Sequence, residues 1–113
     1  MPEPPPPAHI VSEADNGSAV RLVRGEAVTV VLEERPTTGF RWRIARAPLC
    51  CDISQDAFEA PAAGAPPGAA GKHSWRLQAT RPGSGPFEVR LAPIPGRGGK
   101  VARTFTVNLT ASD

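Results

Sequence analysis

The chain has no tyrosine, one methionine and two cysteines, and its large aromatics are 4 Phe and 2 Trp in 113 residues. Its formal charge of +2 is too small, and its Arg and Glu too evenly mixed, to indicate a nucleic-acid partner. No apolar run approaches the length of a membrane span, and the opening Met1-Pro2-Glu3 with its prolines is not a signal peptide. The expected compartment is therefore the cytoplasm, or the periplasm or exterior if a leader has been removed. Cys50 and Cys51 are neighbours, so on a strand they face opposite ways and cannot pair without a strained ring. Reduced thiols are expected, one buried as a small hydrophobe and the other half exposed. Cys50, Cys51, His9 and His73 lack the spacing of metal ligands. No nucleophile paired with a base and no phosphate-binding loop appears, so neither an enzyme nor a cofactor is expected.

What the chain does have is punctuation: 14 Pro and 11 Gly divide it into short segments. Residues Met1 to Ala8 form a proline-rich tail expected to be flexible, and residues 9–113 a single domain of a size that carries its own core. Within that domain the apolar residues recur with period two. Val28, Val30 and Leu32 share a face, as do Phe40, Trp42 and Ile44; His73, Trp75, Leu77 and Ala79; Phe87, Val89 and Leu91; and Phe105, Val107 and Leu109. His9–Ser12 and Ala19–Val23 read as two shorter strands separated by the Asp15-Asn16-Gly17 turn. Leu49 to Phe58 is a weaker extended stretch, with Leu49, Cys51 and Ile53 on one side and a helical turn over Ser54–Phe58 as the alternative. About eight strands and no convincing helix predict an all-β fold, an immunoglobulin-like antiparallel β-sandwich, expected to be a monomer.

Three connections stand out. Arg35-Pro36-Thr37-Thr38-Gly39-Phe40 joins two well-patterned strands; proline fixes its own φ and extends Arg35, while Gly39 opens backbone angles closed to other residues. With only threonines at its tip, this loop allows close approach of its backbone to another surface. Residues between Glu59 and Gly71 are almost all Ala, Pro and Gly, ending in Gly68-Ala69-Ala70-Gly71; a loop of this length is expected to be functional or mobile. The third is Ala92-Pro93-Ile94-Pro95-Gly96-Arg97 and the glycines after it. If consecutive strands run alternately up and down, every connection after an odd-numbered strand emerges at one end, and these three loops become neighbours.

The Pro36-Thr37-Thr38-Gly39-Phe40 segment resembles the first signature loop of the chagasin-like inhibitors of papain-type cysteine proteases, in which the preceding residue is Asn where this chain has Arg35. The resemblance runs over nearly all of the chain after His9. It implies a β-sandwich that places three loops across a papain-type active-site cleft as a reversible, non-covalent inhibitor. By position, Thr37, Thr38 and Gly39, with Arg35, Pro36 and Phe40 beside them, take the central place. Gly68, Ala69, Ala70 and Gly71 take one flank, and Ala92, Pro93, Ile94, Pro95 and Arg97 the other. The family's third loop reads Arg-Pro-Trp; here it is Ala92-Pro93-Ile94, without the basic and the aromatic side chain. The other reading is a β-sandwich module that binds a different protein through the same loops, with weak or no protease inhibition.

Overall fold

The structure is a computed structural model that describes residues 9–96 and 98–113. The expected flexible tail over Met1–Ala8, and Arg97, lie outside the described residues. Eight strands follow one another: β1 (His9–Val11), β2 (Ala19–Val23), β3 (Ala27–Glu34), β4 (Phe40–Arg46), β5 (Cys51–Glu59), β6 (Gly71–Ala79), β7 (Gly83–Pro93) and β8 (Arg103–Ser112). They form two four-stranded sheets, in the orders β1-β3-β6-β5 and β2-β8-β7-β4. Short 3₁₀ turns at Glu13–Asp15 and Pro36–Thr38 are the only helical elements among the described residues.

Period-two patterning produces this arrangement directly. Val28, Val30 and Leu32 of β3, Trp75, Leu77 and Ala79 of β6, Phe87 and Val89 of β7, and Phe105, Val107, Leu109 and Ala111 of β8 are all buried between the sheets. Trp75 lies at the centre, edge-on to Phe87 with ring centroids 6.0 Å apart. The sandwich is immunoglobulin-like, but its sheets are mixed where purely antiparallel ones are expected from the sequence. β1 runs parallel to β3, with His9 opposite Val28, and β2 runs parallel to β8, with Ala19 opposite Asn108. The cause is the up-and-down alternation itself: β1 and β3 are both odd in the chain and β2 and β8 both even, so wherever such strands meet they must point the same way.

Three expectations change at the periphery. Phe40 is only half-buried and Ile44 is 37% exposed, because β4 is a sheet edge whose register with β7 shifts between Ile44 and Arg46. Leu49 is 83% exposed, in the turn ahead of β5. Ser54 to Phe58 continues β5 as a strand, in keeping with the extended reading and not with the helical alternative, with a register shift between Ile53 and Gln55. Both cysteines are buried, whereas one was expected half exposed. Cys50 precedes β5 and sits in the turn, so strand alternation does not govern it, and its carbonyl accepts hydrogen bonds from the Thr80 and Arg81 amides at 2.9 and 3.3 Å.

Candidate functional site

The first loop is a single 3₁₀ turn with little freedom. The Thr38 amide donates to the Arg35 carbonyl at 3.0 Å, the Gly39 amide to the Pro36 carbonyl at 3.1 Å, and the Thr38 hydroxyl also donates to the Arg35 carbonyl at 2.7 Å. Pro36 occupies the first helical position, where its missing N–H costs nothing, and Gly39 ends the turn in the left-handed region at φ 79° and ψ 14°. Arg35, Pro36, Thr37 and Thr38 are exposed; Gly39 is buried. Gly39 therefore shapes the tip from beneath, and the two threonines and their backbone form its surface.

Beneath the turn lies a polar cluster that sequence reasoning missed. Glu34, the last residue of β3, is 1% exposed. Its Oε1 accepts from the Trp42 amide at 2.7 Å and lies 3.3 Å from His73 Nδ1, while its Oε2 accepts from Arg41 Nη2 at 3.3 Å. A carboxylate so deeply buried is tolerable only with partners of this kind. The Trp42 indole N–H donates to the Glu33 carbonyl at 2.9 Å, so two hydrogen bonds cross the base of the loop and close it. The opposite nitrogen of His73, Nε2, lies 2.5 Å from Asp56 Oδ1 at the edge strand β5. The imidazole stacks on Trp75 at 4.1 Å, and Arg41 covers the Phe58 ring at 5.4 Å. The signal was present in the sequence: Glu34 continues the inward phase of Val28, Val30 and Leu32, and His73 shares the phase of Trp75 and Leu77.

The other two loops gather at the same end. Glu34 pairs with Gly71 and Lys72 with Glu59, which sets the second loop beside the first; Phe40 pairs with Pro93, which brings the third. The Ile94 amide donates to the Gly39 carbonyl at 3.0 Å and ties the third loop to the first. Within the second loop, Ala65 N–H donates to the Ala62 carbonyl at 3.0 Å and Ala69 N–H to the Pro66 carbonyl at 3.1 Å, so two successive turns shape it, with Gly64 and Gly68 at positive φ. Gly68 is exposed, and Ala69 and Ala70 are half-buried. Gly71 is the first residue of β6 and buried; a Cβ there would come within 2.5 Å of the Phe58 ring, so its role is packing. Ala92 and Pro93 end β7, opposite Arg41 and Phe40, while Ile94 and Pro95 lie exposed beyond it. Position 97, the remaining candidate on this flank, is outside the described residues.

Cys51 faces Cys50 with sulfurs 3.7 Å apart at the far end of β5, and burial, helped by the Cys50 thiol, pushes its pKa up to about 12. Such a thiol is not a nucleophile at neutral pH. Among the described residues, no group of three or more His, Cys, Asp and Glu is arranged to hold a metal ion. No helix of the described residues is long and apolar enough to cross a membrane.

The family model described as chagasin family peptidase inhibitor I42 matches residues 21–110. The chain belongs to the chagasin family. The matched region runs from β2 to β8 and contains the three loops that gather at one end of the sandwich. Among solved structures, the fold is similar to the cysteine protease inhibitor EhICP2 of Entamoeba histolytica, with a TM-score of 0.79 at 18% identity, covering 93% of this chain and 96% of that one. It is similar also to amebosin, with a TM-score of 0.75 at 22% identity over 95% of this chain and 100% of the other. PbICP-C, solved in complex with falcipain-2, superposes with a TM-score of 0.64 at 11% identity, covering 94% and 90%. A search of curated protein sequences returns no match.

Proposed function

We propose that this protein is a reversible, non-covalent inhibitor of papain-type cysteine proteases, and that its turn over Pro36–Thr38 enters the active-site cleft while the second and third loops contact its two sides. The observation that carries this reading is the exposed Thr37-Thr38 tip, closed by a left-handed Gly39 and fixed to the third loop through the Ile94 amide. Such a tip is ordered before binding, so little conformational entropy is lost when it docks. A closed turn also offers no extended peptide to cut, and the described residues of the three loops include no thiol, so inhibition rests on occupancy. Membership of the chagasin family supports the target class, and the falcipain-2 complex of PbICP-C is one instance of it in a protein of similar fold.

The third loop sets the expected strength. Where the family has Arg and Trp, Ala92 and Ile94 supply small apolar surface, and Arg and Trp are the side chains that most often dominate interfaces. Two such contacts are worth roughly 2 to 4 kcal/mol together, which makes inhibition about 30- to 1,000-fold weaker than in a chain that keeps both. The test is a set of inhibition constants against papain for the wild type, for A92R/I94W and for Gly39→Val. Competitive inhibition by the wild type, a gain of at least about tenfold from the double variant and loss in the Gly39 variant are expected. If the wild type does not inhibit and the double variant gains nothing, the edge binds a different class of protein.

A further inference from the structure

The buried cluster under the first turn contains a histidine whose two ring nitrogens both face carboxylates. His73 Nδ1 lies 3.3 Å from Glu34 Oε1, and Nε2 lies 2.5 Å from Asp56 Oδ1. A neutral imidazole has one N–H and one lone pair, and an ionised carboxylate can only accept. With Glu34 and Asp56 both ionised, the two contacts are attractive together only when His73 carries both protons. We propose that His73 is a positioning residue for the Pro36–Thr38 turn, its imidazolium bridging Glu34 to Asp56 and so holding the loop base in its binding form; this rests on the protease reading above.

The connection to the turn is short. Glu34 is the residue before Arg35, which opens the turn, and the same Oε1 that faces His73 accepts the Trp42 amide after it. When the proton is released to solvent, the longer contact is the one to give it up, and a lone pair then faces Glu34. Glu34 must turn from the imidazole, and its hydrogen bond to Trp42 N–H is strained. The groups around the ring are few. β3 contributes Glu34, β5 contributes Asp56 and the edge of Phe58, and β6 itself contributes the stacked Trp75. Arg41 of β4 reaches Glu34 Oε2 and neutralises part of its charge. Glu33, Lys72 and Glu59 hold the opposite phase of their strands, on the outer face. Histidine is the side chain whose charge is most readily changed by pH, which makes pH the handle on this device.

The experiment follows the ring nitrogens of His73 and the amides of Thr37, Thr38, Gly39 and Trp42 by NMR from about pH 5 to 9, with no protease present. His9→Gln removes the other histidine's signals. Both His73 nitrogens should be protonated at the acid end, and the turn amides should move at the His73 midpoint. Asp56→Asn should lower that midpoint, and His73→Gln should remove the step. Against papain, the ratio of wild-type to His73→Gln inhibition constants should rise about 3- to 10-fold across the same interval. A single neutral tautomer at every pH, turn amides that ignore His73, or a flat ratio would overturn the proposal. If neither protein inhibits at any pH, the protease reading fails and the NMR titration alone decides the role of His73.

Discussion

At Trp42 the chain closes two things at once. Its indole is buried against the core while the backbone and ring N–H groups complete the base of the first loop by donating to Glu34 and Glu33. Trp42→Ala should therefore cost about 3 to 5 kcal/mol in chemical denaturation, and a loss below about 1 kcal/mol would place the side chain outside the core. The cysteines yield a second residue-scale prediction. With Cys51 at about 12 and both thiols buried, iodoacetamide at pH 8 should leave the native protein unmodified and label both after denaturation, as read by mass. Glu88 supplies a pH dependence. Its hydrogen bond from Arg46, at 3.1 Å, and further contacts from Arg90 hold its pKa below the usual carboxylate value. A pKa lower in the folded state means that the stabilisation is present above the unfolded value and is lost as pH falls through the folded one. The Tm gap between wild type and Glu88→Gln should thus be open at pH 7 and close below about pH 4.5. A gap that widens on acidification would contradict the assignment.

Among elements, the loop between β3 and β4 has its conformation set by one residue. Gly39 at φ 79° is buried and its carbonyl accepts the Ile94 amide, so a β-branched side chain there strains the backbone and displaces the third loop together with the first. In Gly39→Val the amide shift changes should spread to Ile94 and Pro95's neighbours while strands β6 and β8 keep their native hydrogen-exchange protection. Changes confined to residues 38–40 would show that the two loops are not coupled. The strands were legible in the sequence because burial on one face imposes period two, and β3, β6 and β8 carry that pattern without interruption. Legibility failed where a strand lies at an edge or a residue precedes one: Ile44 sits beside a register shift in β4, and Cys50 belongs to a turn. The cluster of Glu34, His73 and Asp56 was hidden for another reason. Its members lie on three strands, and only the register of β3 with β6 and of β6 with β5 brings them together.

For the whole molecule, the up-and-down order of strands explains both the mixed sheets and the gathering of loops at one end. The same alternation that makes β1 parallel to β3 sends the connections after β3, β5 and β7 to a common edge. That edge was foreseeable from strand count alone. Which loop residues are exposed on it was not: Gly39 and Gly71 are buried, and Ala92 and Pro93 belong to β7. The most direct measurement is amide chemical-shift mapping of the labelled protein with papain whose catalytic cysteine has been blocked by S-methylation. A 1:1 complex should perturb Arg35 to Phe40, the second loop around Gly68 to Ala70 and the third around Ile94, and leave the opposite end, around Cys51 and Ala79, unchanged. Perturbations centred at that opposite end or on an outer sheet face, or none at protein concentrations that saturate inhibition, would contradict the account.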